Sequence, residues 1–312
     1  MKEVPGSGPS QFDALANKSI LYWARDAIVS IAYTGAAYIG PLPTDDWIVE
    51  KLTGVDVSEK FGMRGFPSSH WLDIGQSLRL LLQELASSEV AKHTLNFELT
   101  AVGWQWKTTR HPLEGRYQPV PMAWGLSKPP NGQFGKEVER LPRYWYFKHR
   151  TLFQSSPIGN MPKAERDKMF DRLRNSAPSR TGEEAAATVE QATVDAVRSV
   201  STSNAYVGPN CMSVLLAPPH YRALIRISFF PQEQHTAQLV STTAPPATLP
   251  AAFSPWIVGR GWMEKPSVRV GQATSEELGP FTIAYSGPSM PCPVKGLIFA
   301  QSSQTRPPRP LK

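Results

Sequence analysis

The chain has 312 residues, 41% hydrophobic and 19% charged, with 30 prolines, two cysteines and a formal net charge of +7. That length and apolar content suffice for one large domain or two modest ones, and the surplus of proline points to long connections between elements. Two cysteines exclude a disulfide framework. No apolar run reaches the roughly 20 residues of a membrane-spanning helix, and the basic residues are too dispersed to form a nucleic-acid-binding block.

Residues 1–16 are rich in Gly, Pro and Ser and lack the apolar stretch of a secretory signal, so a flexible leader and a cytoplasmic location are expected. Lys18–Trp23 and Ala27–Gly35 are β-rich apolar runs around a polar break at Arg25-Asp26, the pattern of a β-hairpin. The second arm stays apolar at successive positions, which implies cover on both faces. Thr44 is placed to cap a helix with Asp45 and Asp46 in its first turn, Trp47, Ile48 and Leu52 on its apolar side, and Gly54 at its end. Ser68 and Ser69 are expected caps of a longer helix, because Trp71, Ile74, Leu78, Leu81 and Leu85 recur at the spacing of one helical face.

Leu95, Phe97, Leu99 and Ala101 then alternate, and Trp104 and Trp106 follow on the other parity. The change of phase at Val102-Gly103 predicts a β-bulge. Residues 107–142, with Pro112, Pro119, Pro121, Pro129 and Pro130, read as a long loop. Residues 143–153 read as one strand leading into Ser155-Ser156, and 163–175 as a short charged helix. Thr181 and Glu184 make a capping box that opens an Ala-rich helix to Ser201. Strands are expected over 211–216 and 221–230, a Pro/Ala/Thr linker over 241–255, and short strands over 256–259 and 281–285. The implied organisation is a leader (1–16), a principal domain (17–235) and a Pro-rich extension with short strands and a basic tail (236–312).

Four groupings invite chemistry, and each has a plainer explanation. Cys211 with His220 could suggest thiol catalysis, but Cys211 begins an apolar strand and suits the core. His70 and Asp73 stand three apart, with no second ligand pair at metal-site spacing. Arg143–Arg150 mixes aromatic and basic residues as nucleic-acid readers do, yet its alternation fits a covered sheet. Gly259-Arg260-Gly261 lacks the remainder of any nucleotide-binding loop. No metal or cofactor is expected.

The order of hairpin, helix pair, strand pair, helix and strand pair resembles the proteasome-like branch of the N-terminal nucleophile hydrolases, across residues 17–230. The resemblance is carried by Asn17-Lys18 entering a strand, by Ala32-Tyr33-Thr34-Gly35-Ala36-Ala37 leaving the next, and by the helix directly after. Strand 143–153 running into Ser155–Gly159 adds to it, as does the Ala-rich helix leading through Gly208 to strand 211–216. It implies an α+β fold, a four-layer αββα sandwich of two antiparallel sheets. It also implies Lys18 as the lysine that stabilises charge beside a nucleophile, and Thr34, Gly35, Ser155 and Ser156 as oxyanion and substrate-binding positions. A peptide or amide substrate and a ring-type oligomer would follow.

The strands that carry the nucleophile in that family have no counterpart before Lys18, and Ser7 and Ser10 lie in no strand-like context. The expectation is therefore a structural or assembly protein that is catalytically silent. The alternative is a threonine-, serine- or cysteine-type amidohydrolase or peptidase whose nucleophile lies upstream of Met1. A basic nucleic-acid- or protein-binding module is a further alternative. A sheet lacking its first hairpin should also expose an edge at residues 19–23, which predicts self-association.

Overall fold

The computed structural model describes residues 18–57, 64–94, 96–108, 117–141, 144–146, 151–153, 164, 167–168, 171, 182–202, 211–216, 222–230, 251–253, 255–265, 267–269, 281–288 and 298–300. Strands β1 (Ser19–Trp23) and β2 (Ala27–Thr34) form the expected antiparallel hairpin. The two-residue strands β3 (Tyr38–Ile39) and β4 (Leu42–Pro43) turn the chain into helix α1 (Thr44–Thr53). Then come β5 (Arg64–Gly65), a 3-10 turn at Ser68–His70, and helix α2 (Ile74–Ser87).

Strands β6 (Phe97–Thr108), β7 (Tyr117–Lys128) and β8 (Glu139–Arg140) continue the main sheet, while β9 (Tyr144–Tyr146) and β10 (Thr151–Phe153) pair with each other. Helix α3 (Gly182–Ser201) precedes β11 (Cys211–Leu216) and β12 (Arg222–Phe230). The remaining strands are β13 (Ala251–Phe253), β14 (Trp256–Val258), β15 (Trp262–Glu264), β16 (Ser267–Arg269), β17 (Phe281–Pro288) and β18 (Ile298–Ala300).

The dominant element is one eight-stranded sheet in the order β5-β15-β14-β1-β2-β6-β7-β8. It is mixed: β14 runs parallel to β1, with Ile20 opposite Trp256 and Tyr22 opposite Val258, while its other pairings are antiparallel. This corrects the expected proteasome-like sandwich of two antiparallel sheets. The reason is β14, a strand from the segment 236–312, which stands in the middle of the sheet beside β1. It also corrects the expected open edge at residues 19–23, because β1 is hydrogen-bonded on both sides.

Pleating explains why β2 is apolar on both parities. Val29, Ile31 and Tyr33 join Ile20, Tyr22, Leu99 and Trp256 under α1 and α2, whose Ile48, Leu52, Ile74, Leu78, Leu81 and Leu85 are buried. On the opposite face Leu21, Ile28, Trp106 and Ile257 pack against Ile225 and Ile227, with Met212, Val214 and Leu216 of β11 alongside. A smaller four-stranded sheet, β11-β12-β17-β18, supplies that cover. Helix α3 meets it through Ser213 Oγ, which donates to Glu190 Oε1 (2.9 Å), and through Arg198, which donates to the Phe230 carbonyl (3.3 Å).

Several local expectations change. β6 runs unbroken, one residue against one, from Phe97 to Thr108, so there is no bulge at Val102-Gly103. The apolar phase shifts because Leu99 and Ala101 face the helices while Trp104 and Trp106 face the second layer. Gly103 is needed because a Cβ there would run into the Ile28 carbonyl oxygen. Residues 117–128, read as loop, form the long strand β7. Residues 143–153 give two short strands paired antiparallel, Thr151 opposite Tyr146, in place of one.

Ser68 and Ser69 start the 3-10 turn, and α2 is capped instead at Asp73, whose N–H donates to Gln76 Oε1 (3.2 Å). The Ala-rich helix spans the expected range, with Ala192, Val194, Ala196 and Val200 buried. Its capping box at Thr181 and most of the helix read over 163–175 lie outside the described residues.

Candidate functional site at the open end of the hairpin

The β1–β2 ladder opens at Lys18, whose carbonyl accepts from the Tyr33 N–H (3.2 Å). Lys18 is exposed, and its ammonium makes no hydrogen bond or ion pair with any described residue. Thr34 lies opposite Glu98 of β6 and on the sheet face of Ile28 and Ser30, the face away from Tyr33. Its main-chain groups point at β6, in the ladder and not toward Lys18. Gly35 follows at a φ of +109°, pressed so close to the Asn96 carbonyl that no Cβ would fit. The hydroxyls of Ser19 and Ser30, on the two strands of the hairpin, are bonded to each other at 2.9 Å. The structure thus keeps Lys18 and Thr34-Gly35 at one end of the hairpin without converging their polar groups. Ser155 and Ser156 lie outside the described residues.

What gathers at this end is a different set. Thr44 Oγ1 donates to the Ala36 carbonyl (2.9 Å) and its N–H to that of Ala37 (3.0 Å), so the start of α1 is held against the chain leaving β2. Asp45 and Asp46, in the first turn of the helix, are fully buried. Lys265, just past β15, donates to Asp45 Oδ2 (2.7 Å) and to Asp46 Oδ1 (3.1 Å), and the Trp256 indole N–H also donates to Asp46 Oδ1 (2.7 Å).

Two carboxylates face one ammonium, and the N-terminus of α1 offsets the excess by roughly half a positive charge. Lys265 is only 4% exposed. With both carboxylates fully buried, the cluster is closed to a substrate arriving from solvent.

Lys265 and Trp256 had no local signature as partners of Asp45-Asp46. The two aspartates read as ordinary first-turn carboxylates, and their partner stands 220 positions away from Asp45. The one available signal was Asp-Asp immediately before an apolar helical face, a place where burial of both would demand a cation.

The opposite end of the hairpin forms a second polar cluster. Asp26 accepts from the Ile74 N–H at the start of α2 (2.8 Å) and from the Gln105 amide (2.7 Å), while its carbonyl accepts from the Trp106 N–H (2.8 Å). Arg25 donates to the Trp71 carbonyl (3.0 Å) and lies 4.0 Å from Asp73. Arg260 stacks on the Trp71 ring at 4.7 Å, and Gly259-Arg260-Gly261 is the turn between β14 and β15, closed by Gly259 N–H to the Trp262 carbonyl (2.8 Å).

His70 packs its ring against Gly54 and does not meet Asp73 at a shared site. No cluster of three or more His, Cys, Asp or Glu suited to a metal occurs among the described residues. Cys211 is a half-buried thiol whose pKa is pushed up by burial, only partly countered by Arg198, so it is less nucleophilic than an exposed cysteine. His220 lies outside the described residues.

No protein-family model, curated protein or solved structure matches the chain. No helix among the described residues is long and apolar enough to cross a membrane.

Proposed function

We propose that this chain is a structural or assembly component with no amide hydrolysis of its own. The observation that carries this reading is the sealed Asp45–Asp46–Trp256–Lys265 cluster. The densest gathering of ionisable side chains at the open end of the hairpin is bonded internally and closed to solvent. Lys18 adds support, since its ammonium has no hydroxyl or thiol partner among the described residues. A lysine that activates a nucleophile needs that group within hydrogen-bond reach.

The test is turnover of a panel of fluorogenic peptide and amide substrates by the full chain. No release above the blank is expected, and K18A should behave identically. Hydrolysis that disappears in K18A would overturn the proposal and favour the amidohydrolase reading.

A further inference from the structure

On one side the main sheet ends in the two-residue β8, which pairs only with Trp124 and Gly125 of the twelve-residue β7, and among the described residues no other strand pairs with the outer side of β7. A long unpaired edge is a template for strand addition by another chain. Which main-chain groups it presents follows from the ladder. The Trp106 N–H bonds to the Asp26 carbonyl, so the even-numbered residues of β6 direct their main-chain groups at β2. The odd-numbered ones direct theirs at β7, where Gln105, Gly103 and Ala101 stand opposite Val120, Met122 and Trp124.

Odd-numbered residues of β7 therefore face outward. Two bonds agree: the Ala123 carbonyl accepts from the Leu141 N–H (3.1 Å), and the Ser127 carbonyl from the Gly135 N–H (3.3 Å). In the half of β7 that β8 leaves uncovered, the outward positions include 119 and 121, and both are proline.

We propose that Pro119 and Pro121 close the outer edge of β7 to strand addition by a second copy of this chain. A proline ring has no N–H to give an incoming strand. Inside the sheet the same residues cost nothing, because their nitrogens do not face β6. An incoming strand would find carbonyls at positions 119 and 121 with no donor between them. Its own carbonyls opposite those rings would lose water without gaining a partner. The other end of the sheet needs no such device, since β5 covers β15 at Trp262 and Met263 with a strand two residues long.

The experiment compares the full-length wild type with P119V/P121V by sedimentation across a wide concentration range, with P129A as the control outside β7. The double variant is expected to rise by about twofold or more in average mass, while the wild type and P129A give one common curve. Superposition of the double variant on the wild-type curve would overturn the proposal. If the double variant does not fold, P121A is followed by hydrogen exchange. Protection of the restored amide that increases with protein concentration supports the edge, and exchange independent of concentration overturns it.

Discussion

The two ends of the β1–β2 hairpin hold comparable chemistry under opposite conditions. At the open end, Lys265 and its aspartates are almost wholly excluded from solvent. At the turn, Arg25 and Asp73 sit 4.0 Å apart with side chains 53% and 44% exposed. A charge pair in water contributes little because solvent screens it and two mobile side chains must be ordered. A buried set is different. Its desolvation has already been incurred, so removing one member leaves the others uncompensated. The first cluster ties α1 to strands from the far end of the chain, and the second orients α2 on the hairpin turn.

Substitution of Lys265 by alanine tests the comparison most severely. Loss of one partner from a buried ionic set should destabilise the chain by about 3–5 kcal/mol, read from the denaturant midpoint. A change below about 1 kcal/mol would place the cluster with exposed pairs and remove the contrast. D26A comes next. It deletes the carboxylate that receives the Ile74 N–H and the Gln105 amide, and the expected loss is about 0.5–2 kcal/mol, the range of a lost helix cap.

Glu264 affects the shape of the pH profile more than its height. Burial raises its carboxyl above the ordinary value, so the folded chain holds that proton more tightly than the unfolded chain. The native state binds more protons between the two values, and stability falls as pH climbs through that window. E264Q should flatten this decline, checked by denaturation midpoints between about pH 4 and pH 8. An equally steep profile in the variant would exclude Glu264 as its source. R25A is the smallest: a change of about 0–1 kcal/mol, with the main-chain bond from the Arg25 N–H to the Leu72 carbonyl retained.

The sequence displayed the elements whose signal is local. Hairpin, α1 and α3 follow from apolar spacing, and the two-sided apolarity of β2 from cover on both faces. Long-range pairing has no such signal. Nothing near Trp256 announces that it lies beside Ile20, so the segment 236–312 read as an extension and β1 as an edge. β7 was obscured for a different reason: two prolines argue against a central strand, and the alternation that places both on the outer side appears only once the register is known.

The clusters were legible by halves. Asp45-Asp46 was visible as a helix start and Arg25-Asp26 as a turn. Lys265, Gln105 and Arg260 are joined to these positions by the fold alone.

Tyr22 shows the same dependence on tertiary context. Burial raises its phenol pKa to about 12, partly opposed by the hydrogen bond to Ser77 at 2.8 Å, so it stays neutral across the physiological range. As a residue of an apolar run it looked like simple core.

The parallel pairing of β1 with β14 has a consequence for how the chain is made. Strand β1 leaves the ribosome long before its neighbour exists. At a translation rate of roughly 5–20 residues per second, more than two hundred further residues put that delay on the order of 10–50 seconds. Throughout it, the flank of β1 that will later receive Trp256–Val258 has no permanent partner. A nascent chain halted before residue 256 should therefore be a substrate for holding chaperones, whereas one completed through Lys265 should not.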